Sequence, residues 1–230
     1  MILGCVTIGQ APRVDVVPDL VPVLPGIEII ERGALDELDA AEIAALTPQG
    51  GRASLVSRLR DGGSAVLDEE HMMPLVQRAV DRAVADGADA VLILCTGHLA
   101  SVDAPIPVYT AERLARGAAD ALAGDATLGV LAPTARQLDE IARRWRDDLG
   151  REVILASADP YTADEAELAA AGRALAEQGA TWLFLDCIGY SERMAAAIQQ
   201  SSGVRTLSAR ALAGRLVAAA VAARADRSPQ

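Results

Sequence analysis

Cys95 and Cys187 each close an apolar run and are each followed, two residues on, by glycine: Leu94-Cys95-Thr96-Gly97 and Asp186-Cys187-Ile188-Gly189-Tyr190. Two thiols in equivalent places suit one chemistry well. Inverting a carbon next to a carboxylate needs a base on one face and an acid on the other, and the two groups exchange roles in the reverse direction. One fixed thiol does not serve both faces. Thiols at strand ends beside helix N-termini are easily held as thiolates. The carbanion or enediolate that forms needs donors aimed at the carboxylate, and turns rich in glycine and threonine supply them. The third cysteine, Cys5, lies inside a strand and reads as a small buried hydrophobe.

The composition excludes several alternatives. The chain of 230 residues contains no lysine, so all 21 basic side chains are arginines. A pyridoxal-phosphate aldimine and a P-loop both require lysine. Cys95-x-x-His98 is a lone pair of ligand types without zinc spacing, so no metal and no cofactor is expected. A net charge of -11 argues against nucleic acid, which needs a basic stripe. No apolar run approaches the about eighteen residues of a membrane span, and no basic leader precedes the first strand, so the expected location is cytoplasmic with no membrane partner. The partner these residues suit is a small anionic metabolite held by local donors; a homo-oligomer is left open.

The elements that must position the thiols follow from the pattern. Each cysteine run, 90–94 and 183–186, is preceded by a helical stretch closed by glycine, which predicts αβ units in covered parallel sheets. Ligands in such sheets lie just beyond the strand carboxyl ends, so both sulfurs are expected to open into one cleft between lobes. The opening strand, 2–7, leads to Gly9-Gln10-Ala11-Pro12-Arg13, where an early proline suits a helix start. There Gln10 offers an amide and Arg13 a planar fork for a carboxylate. A second strand at 127–131 leads to the parallel turn with Pro133 and Thr134.

Between these lie a strand at 28–31, a helix at 39–46, a Gly-rich turn at 49–51, and a β-hairpin at 53–67 turning through Asp61-Gly62-Gly63, expected as a rim insertion. Helices are expected at 70–86, 111–122, 163–178 and 191–200, with another ending about 148, and strands at 153–156 and 204–207. A terminal helix at 209–223, capped by Ser208, shows an apolar stripe through Leu212, Leu216, Ala219 and Ala220. The tail 224–230 is expected to fray. The predicted fold class is α/β, with two pseudo-symmetric αβ lobes of mainly parallel sheet, one over 1–112 plus 207–230 and the other over 113–206.

Thr7-Ile8-Gly9-Gln10-Ala11-Pro12-Arg13, Gly33-Ala34-Leu35-Asp36, Leu59-Arg60-Asp61-Gly62 and the two cysteine motifs, taken in order, resemble the AroM family over nearly the whole chain. The resemblance implies the fold of the aspartate/glutamate/hydantoin racemase superfamily, with Cys95 and Cys187 as the acid/base pair, one per lobe. It implies substrate binding at Gly9-Gln10 and Pro133-Thr134, with Thr96, Gly97, Gly189 and Tyr190 near the ligand carboxylate. The first turn departs from the Asp-Ser-Gly type of glutamate racemases, and Arg13 points to an additional acid group. The function expected is a cofactor-independent racemase or epimerase of a small carboxylate or amino acid. A one-thiol decarboxylase, isomerase or lyase and a non-catalytic metabolite-binding protein are the alternatives.

Overall fold

The computed structural model describes residues 1–49, 54–99 and 101–225. Its elements, in chain order, are β1 (Ile2–Thr7), α1 (Val17–Leu20), β2 (Glu28–Gly33), α2 (Ala40–Ala45), β3 (Ser54–Arg58), β4 (Ser64–Asp68), α3 (Glu69–Ala85), β5 (Ala90–Leu94), β6 (Val108–Thr110), α4 (Ala111–Ala123), β7 (Leu128–Ala132), α5 (Leu138–Leu149), β8 (Ile154–Ser157), α6 (Glu165–Glu177), β9 (Trp182–Leu185), α7 (Glu192–Ser202), β10 (Arg205–Ser208) and α8 (Ala209–Ala225). The chain forms two compact units, one of Met1–Glu112 with the segment from Ala213, the other Arg113–Leu212.

Each unit holds a four-stranded sheet, ordered β2-β1-β5-β6 in the first and β10-β9-β7-β8 in the second. Every pairing in these two sheets is parallel. Counted within each unit, both orders are 2-1-3-4, so the fold is α/β with two lobes of the same topology. In this order the strand sequence reverses between the first and third strands, which is where open α/β sheets bind ligands. β5 and β9, the cysteine strands, are those third strands.

Burial explains why the runs fold this way. All five residues of β5 and all five of β7 are buried, as expected of strands covered on both faces. In the first unit Val6, Leu35, Val76, Val80, Val91 and Ile93 share one core. In the second, Trp145 of α5 meets Phe184 of β9 edge-on, centroids 5.9 Å apart, while Leu168, Leu175, Leu183, Leu185 and Ile198 form a separate cluster. The helix before each cysteine strand ends the same way. Gly87 and Gly179 take φ of 90° and 98°, and the residues after them, Ala88 and Ala180, donate back to Ala83 and Leu175. Left-handed backbone at these two positions is glycine's. Capping boxes start α2 (Asp39 with Glu42) and α6 (Asp164 with Glu167).

The structure corrects three expectations. No helix begins at Pro12, which sits in a cis peptide after Ala11; the first helical turn is α1, after Arg13 takes back bonds from Val16 and Val17 through its carbonyl. Residues 108–110 form a strand, β6, just before the helix expected at 111–122, where no strand was expected; three residues are too few to display a period. On α8 the buried positions among the described side chains are Ala209, Arg210, Ala213, Gly214, Val217 and Val221, with Leu216 exposed. Ser208 does cap this helix, its Oγ accepting from Ala211 N at 3.1 Å. The hairpin runs antiparallel from Ser54↔Asp68 to Arg58↔Ser64. Gly50, Gly51 and Ala53 of the expected turn and hairpin, and tail residues 226–230, lie outside the described residues. Among the described residues no helix is long and apolar enough to cross a membrane.

Candidate functional site

Cys95 leaves the end of β5 and Cys187 follows β9 by two residues. Both are buried, at 6% and 5% exposure. In each unit the glycine two residues on turns its N–H back to the sulfur: Gly97 N to Cys95 Sγ at 3.3 Å, and Gly189 N to Cys187 Sγ at 3.4 Å. The repeated Cys-x-Gly spacing is therefore a repeated donor geometry. An amide N–H aimed at sulfur interacts more strongly with a thiolate than with a thiol. Cys5 differs. It lies within β1 at 1% exposure, and its thiol is pushed up to about 12 by burial and then by Glu31, so it remains a thiol.

In the first unit β3 closes over both turns at the sheet end. A Cβ on Gly97 would meet Leu55 Cδ2 at 2.1 Å, and one on Gly9 would meet Arg58 O at 2.3 Å and Ser57 Oγ at 2.4 Å. The hairpin expected at the rim thus packs directly on the Gly9 turn. Gln10 is tied into it: its side-chain Oε1 accepts from Arg60 N at 3.0 Å, and its Nε2 reaches Leu35 O at 3.5 Å. Thr96 is buried beside Cys95. Arg13 is 1% exposed, with Nε and Nη2 on the two carboxylate oxygens of Asp15 at 2.9 and 2.8 Å, and Nη1 on Thr7 Oγ1 at 3.0 Å. Its fork is engaged within the turn itself.

In the second unit Pro133 is buried at the end of β7, and Thr134 caps a single 3-10 turn, Ala135–Gln137, accepting from Arg136 N at 3.4 Å. Gly189 lies under Tyr161, whose Cζ and hydroxyl would be 2.7 and 2.8 Å from an added Cβ. Tyr190 is fully buried. Its hydroxyl lies 2.9 Å from Ala132 O and 2.5 Å from Ala158 O, so it joins the Cys187 turn to the ends of β7 and β8. Burial, then the neighbouring Cys187, Asp186, Asp159 and Tyr161, holds the phenol well above its usual range, so it stays protonated and donates. Tyr190→Phe leaves both carbonyls without this donor and should cost about 1–2 kcal/mol of unfolding free energy in urea; an unchanged midpoint would mean that the hydroxyl is replaceable there.

Three residues hold these turns, of which Asp36 and Arg60 stand in motifs that the sequence reading named without a role and Arg210 in none. Asp36 Oδ2 accepts from Gly33 N at 2.6 Å, and Oδ1 accepts from Ala11 N at 2.8 Å and Arg60 Nη2 at 3.1 Å. Arg60 also donates to Ala11 O at 2.8 Å. In the second unit Arg210, the second residue of α8 and 1% exposed, donates from Nε to Ile188 O and from Nη2 to Gly189 O, both at 2.9 Å. One sequence signal marks it: an arginine in the first turn of a helix opposes the helix dipole and needs another reason to be there. Among the described residues no three His, Cys, Asp or Glu side chains gather as a metal site.

The family model described as AroM protein matches residues 3–221. No curated protein matches the chain. Several solved structures are similar. A glutamate racemase from Bacillus anthracis superposes with a TM-score of 0.65 at 14% identity, covering 97% of this chain and 82% of its own. An allantoin racemase from Pseudomonas fluorescens gives 0.60 at 18% identity, with 98% and 92% covered. Arylmalonate decarboxylase gives 0.60 at 12%, with 96% and 92% covered. At these identities the likeness is one of fold.

Proposed function

The chain belongs to the AroM family, and from that premise we propose that it is a cofactor-independent racemase or epimerase of a small carboxylate or amino acid, with Cys95 and Cys187 as its acid/base pair. The observation that carries this reading is the repeated thiol geometry: in each unit a cysteine follows the third strand of a 2-1-3-4 sheet within two residues, with a glycine N–H on its sulfur. The racemase fold of the similar structures supports it.

In the proposed reaction one thiolate takes the proton from the carbon next to the carboxylate. The C–H electron pair moves into an enediolate, and the other thiol delivers its proton to the opposite face. No net oxidation occurs, and the sulfurs end with their charges exchanged. Thr96 and Thr134, in the turns after β5 and β7, offer donors to the carboxylate beside the Gly9-Gln10 turn and stabilise the charge that develops there, while the Gly97 and Gly189 N–H groups stay on the sulfurs. Arg13 and Tyr190 act behind these turns, holding Thr7 and the ends of β7 and β8 in place.

A second reading, a decarboxylase using one thiol to protonate a planar intermediate, is favoured by the likeness to arylmalonate decarboxylase. Incubating the protein with a panel of carboxylates and amino acids in heavy water separates the two. A racemase introduces one deuterium at the α carbon and brings both enantiomers toward equality, with no loss of carbon dioxide. Loss of carbon dioxide with deuterium on one face supports the decarboxylase. A ligand that binds tightly and exchanges no α proton, across the whole panel, would overturn both enzymatic readings in favour of a binding protein.

A further inference from the structure

We propose that Arg210 is a positioning residue for Cys187, one that turns two successive peptide groups toward it and stabilises its thiolate through one of them. The inference rests on the reading of Cys187 as a proton-transfer group. The Ile188 carbonyl, which takes Arg210 Nε at 2.9 Å, belongs to the same peptide as the Gly189 N–H that donates to Cys187 Sγ at 3.4 Å. The Gly189 carbonyl, which takes Nη2 at 2.9 Å, belongs to the same peptide as the Tyr190 N–H, which donates to Cys187 O at 3.3 Å. A guanidinium on the carbonyl end of a peptide draws electron density from it and makes its N–H a stronger donor. The fork is planar and bidentate, so it fixes the orientation of both peptides as well as polarising them.

This arrangement explains a buried arginine at the start of α8. The helix dipole opposes a cation there, and a buried charge must be hydrogen-bonded to persist. Ser208, just before the helix, is itself held by donation to Glu192 at 2.9 Å, so the turn that carries Arg210 is fixed at both ends. The ionisable groups that act on Tyr190 are Cys187, Asp186, Asp159 and Tyr161, and Glu192 lies in the first turn of α7. The acidic ones oppose a second negative charge, which makes a donor chain ending in a cation the counterweight that a thiolate requires.

The test is titration of the protein labelled with 13C at cysteine Cβ, whose chemical shift distinguishes thiol from thiolate without access to the sulfur. Cys187 and Cys95 are read in the same sample and assigned by their serine variants. In Arg210→Met the Cys187 midpoint should rise by about one pH unit, roughly a tenfold loss of thiolate at a pH below it, while the Cys95 midpoint stays. Arg210→Lys keeps the charge but not the fork, and should give a smaller rise in the same direction. A folded Arg210→Met whose Cys187 midpoint is unmoved, or whose two cysteines move equally, overturns the proposal. If the methionine variant does not fold, an unmoved midpoint in the lysine variant overturns it. No substrate enters the titration, so its outcome is separate from that of the racemase reading. An unmoved midpoint in a protein that racemises would remove Arg210's role alone.

Discussion

Cys187→Ser and Cys95→Ser should each lower net racemisation by roughly 10³-fold, because a hydroxyl is a far weaker acid than a thiol and its anion is inaccessible near neutral pH. The two variants should nonetheless be distinguishable. Removing the base on one face leaves the thiol on the other able to exchange the α proton of the enantiomer it faces. One variant is therefore expected to wash deuterium into one enantiomer, and its counterpart into the other, with neither inverting the carbon. A decarboxylase with a single acting thiol gives another pattern: Cys187→Ser is severe, and Cys95→Ser acts mainly on binding. That assignment follows from the more elaborate setting of Cys187, with Arg210 and Tyr190 behind its turn. Full turnover by both serine variants on a verified substrate would return the cysteines to the status of buried hydrophobes.

The largest stability effect is expected at Gly9. Its missing side chain leaves room for Arg58 O and Ser57 Oγ, which a Cβ would meet at 2.3 and 2.4 Å. The first of these is backbone within a paired strand and has no rotamer to retreat into. Gly9→Ala must therefore push β3 off the turn, breaking the contacts of Gln10 with Arg58 O and Arg60 N. The expected cost is about 2–3 kcal/mol, within the range for overpacking a filled core. Urea unfolding measures it directly. Gly117→Ala is the control: that glycine lies within α4 with nothing inside 4 Å of an added Cβ, and alanine there should stabilise by up to about 1 kcal/mol. Equal midpoints for Gly9→Ala and the wild type would show that β3 is looser than its packing implies.

The strands carrying the thiols were legible because both are short apolar runs that stop abruptly at cysteine, after glycine-closed helices. Those are local signals, and β5 and β9 lie where they predicted. The order 2-1-3-4 needs pairings across distances that no local pattern encodes. The surroundings of Gln10 were hidden for the same reason. What its side chain touches is decided by Leu35 and Arg60, up to fifty residues away in sequence, whereas the Arg13 fork meets the nearby carboxylate of Asp15, a pairing that needs the turn's own geometry. On α8 Leu212 of the expected stripe packs on the second unit's core, but Leu216 and Ala219 are exposed. Small alanine and valine side chains allow close approach, so Ala213, Val217 and Val221 occupy the buried face while the larger Leu216 is exposed.

The inner face of β3 carries a further consequence. Leu55 and Ser57, two residues apart and so on the same side of the strand, press on Gly97 and Gly9 respectively. The loop bearing the Cys95 sulfur and the loop after β1 thus share one wall, and that wall is a single hydrogen-bonded ribbon rather than two independent supports. Displacing it at Gly9 also displaces it at Gly97. Local opening of this lobe is therefore expected to be concerted at the sheet end, with amide exchange after β1 and after β5 rising together when the ribbon lifts.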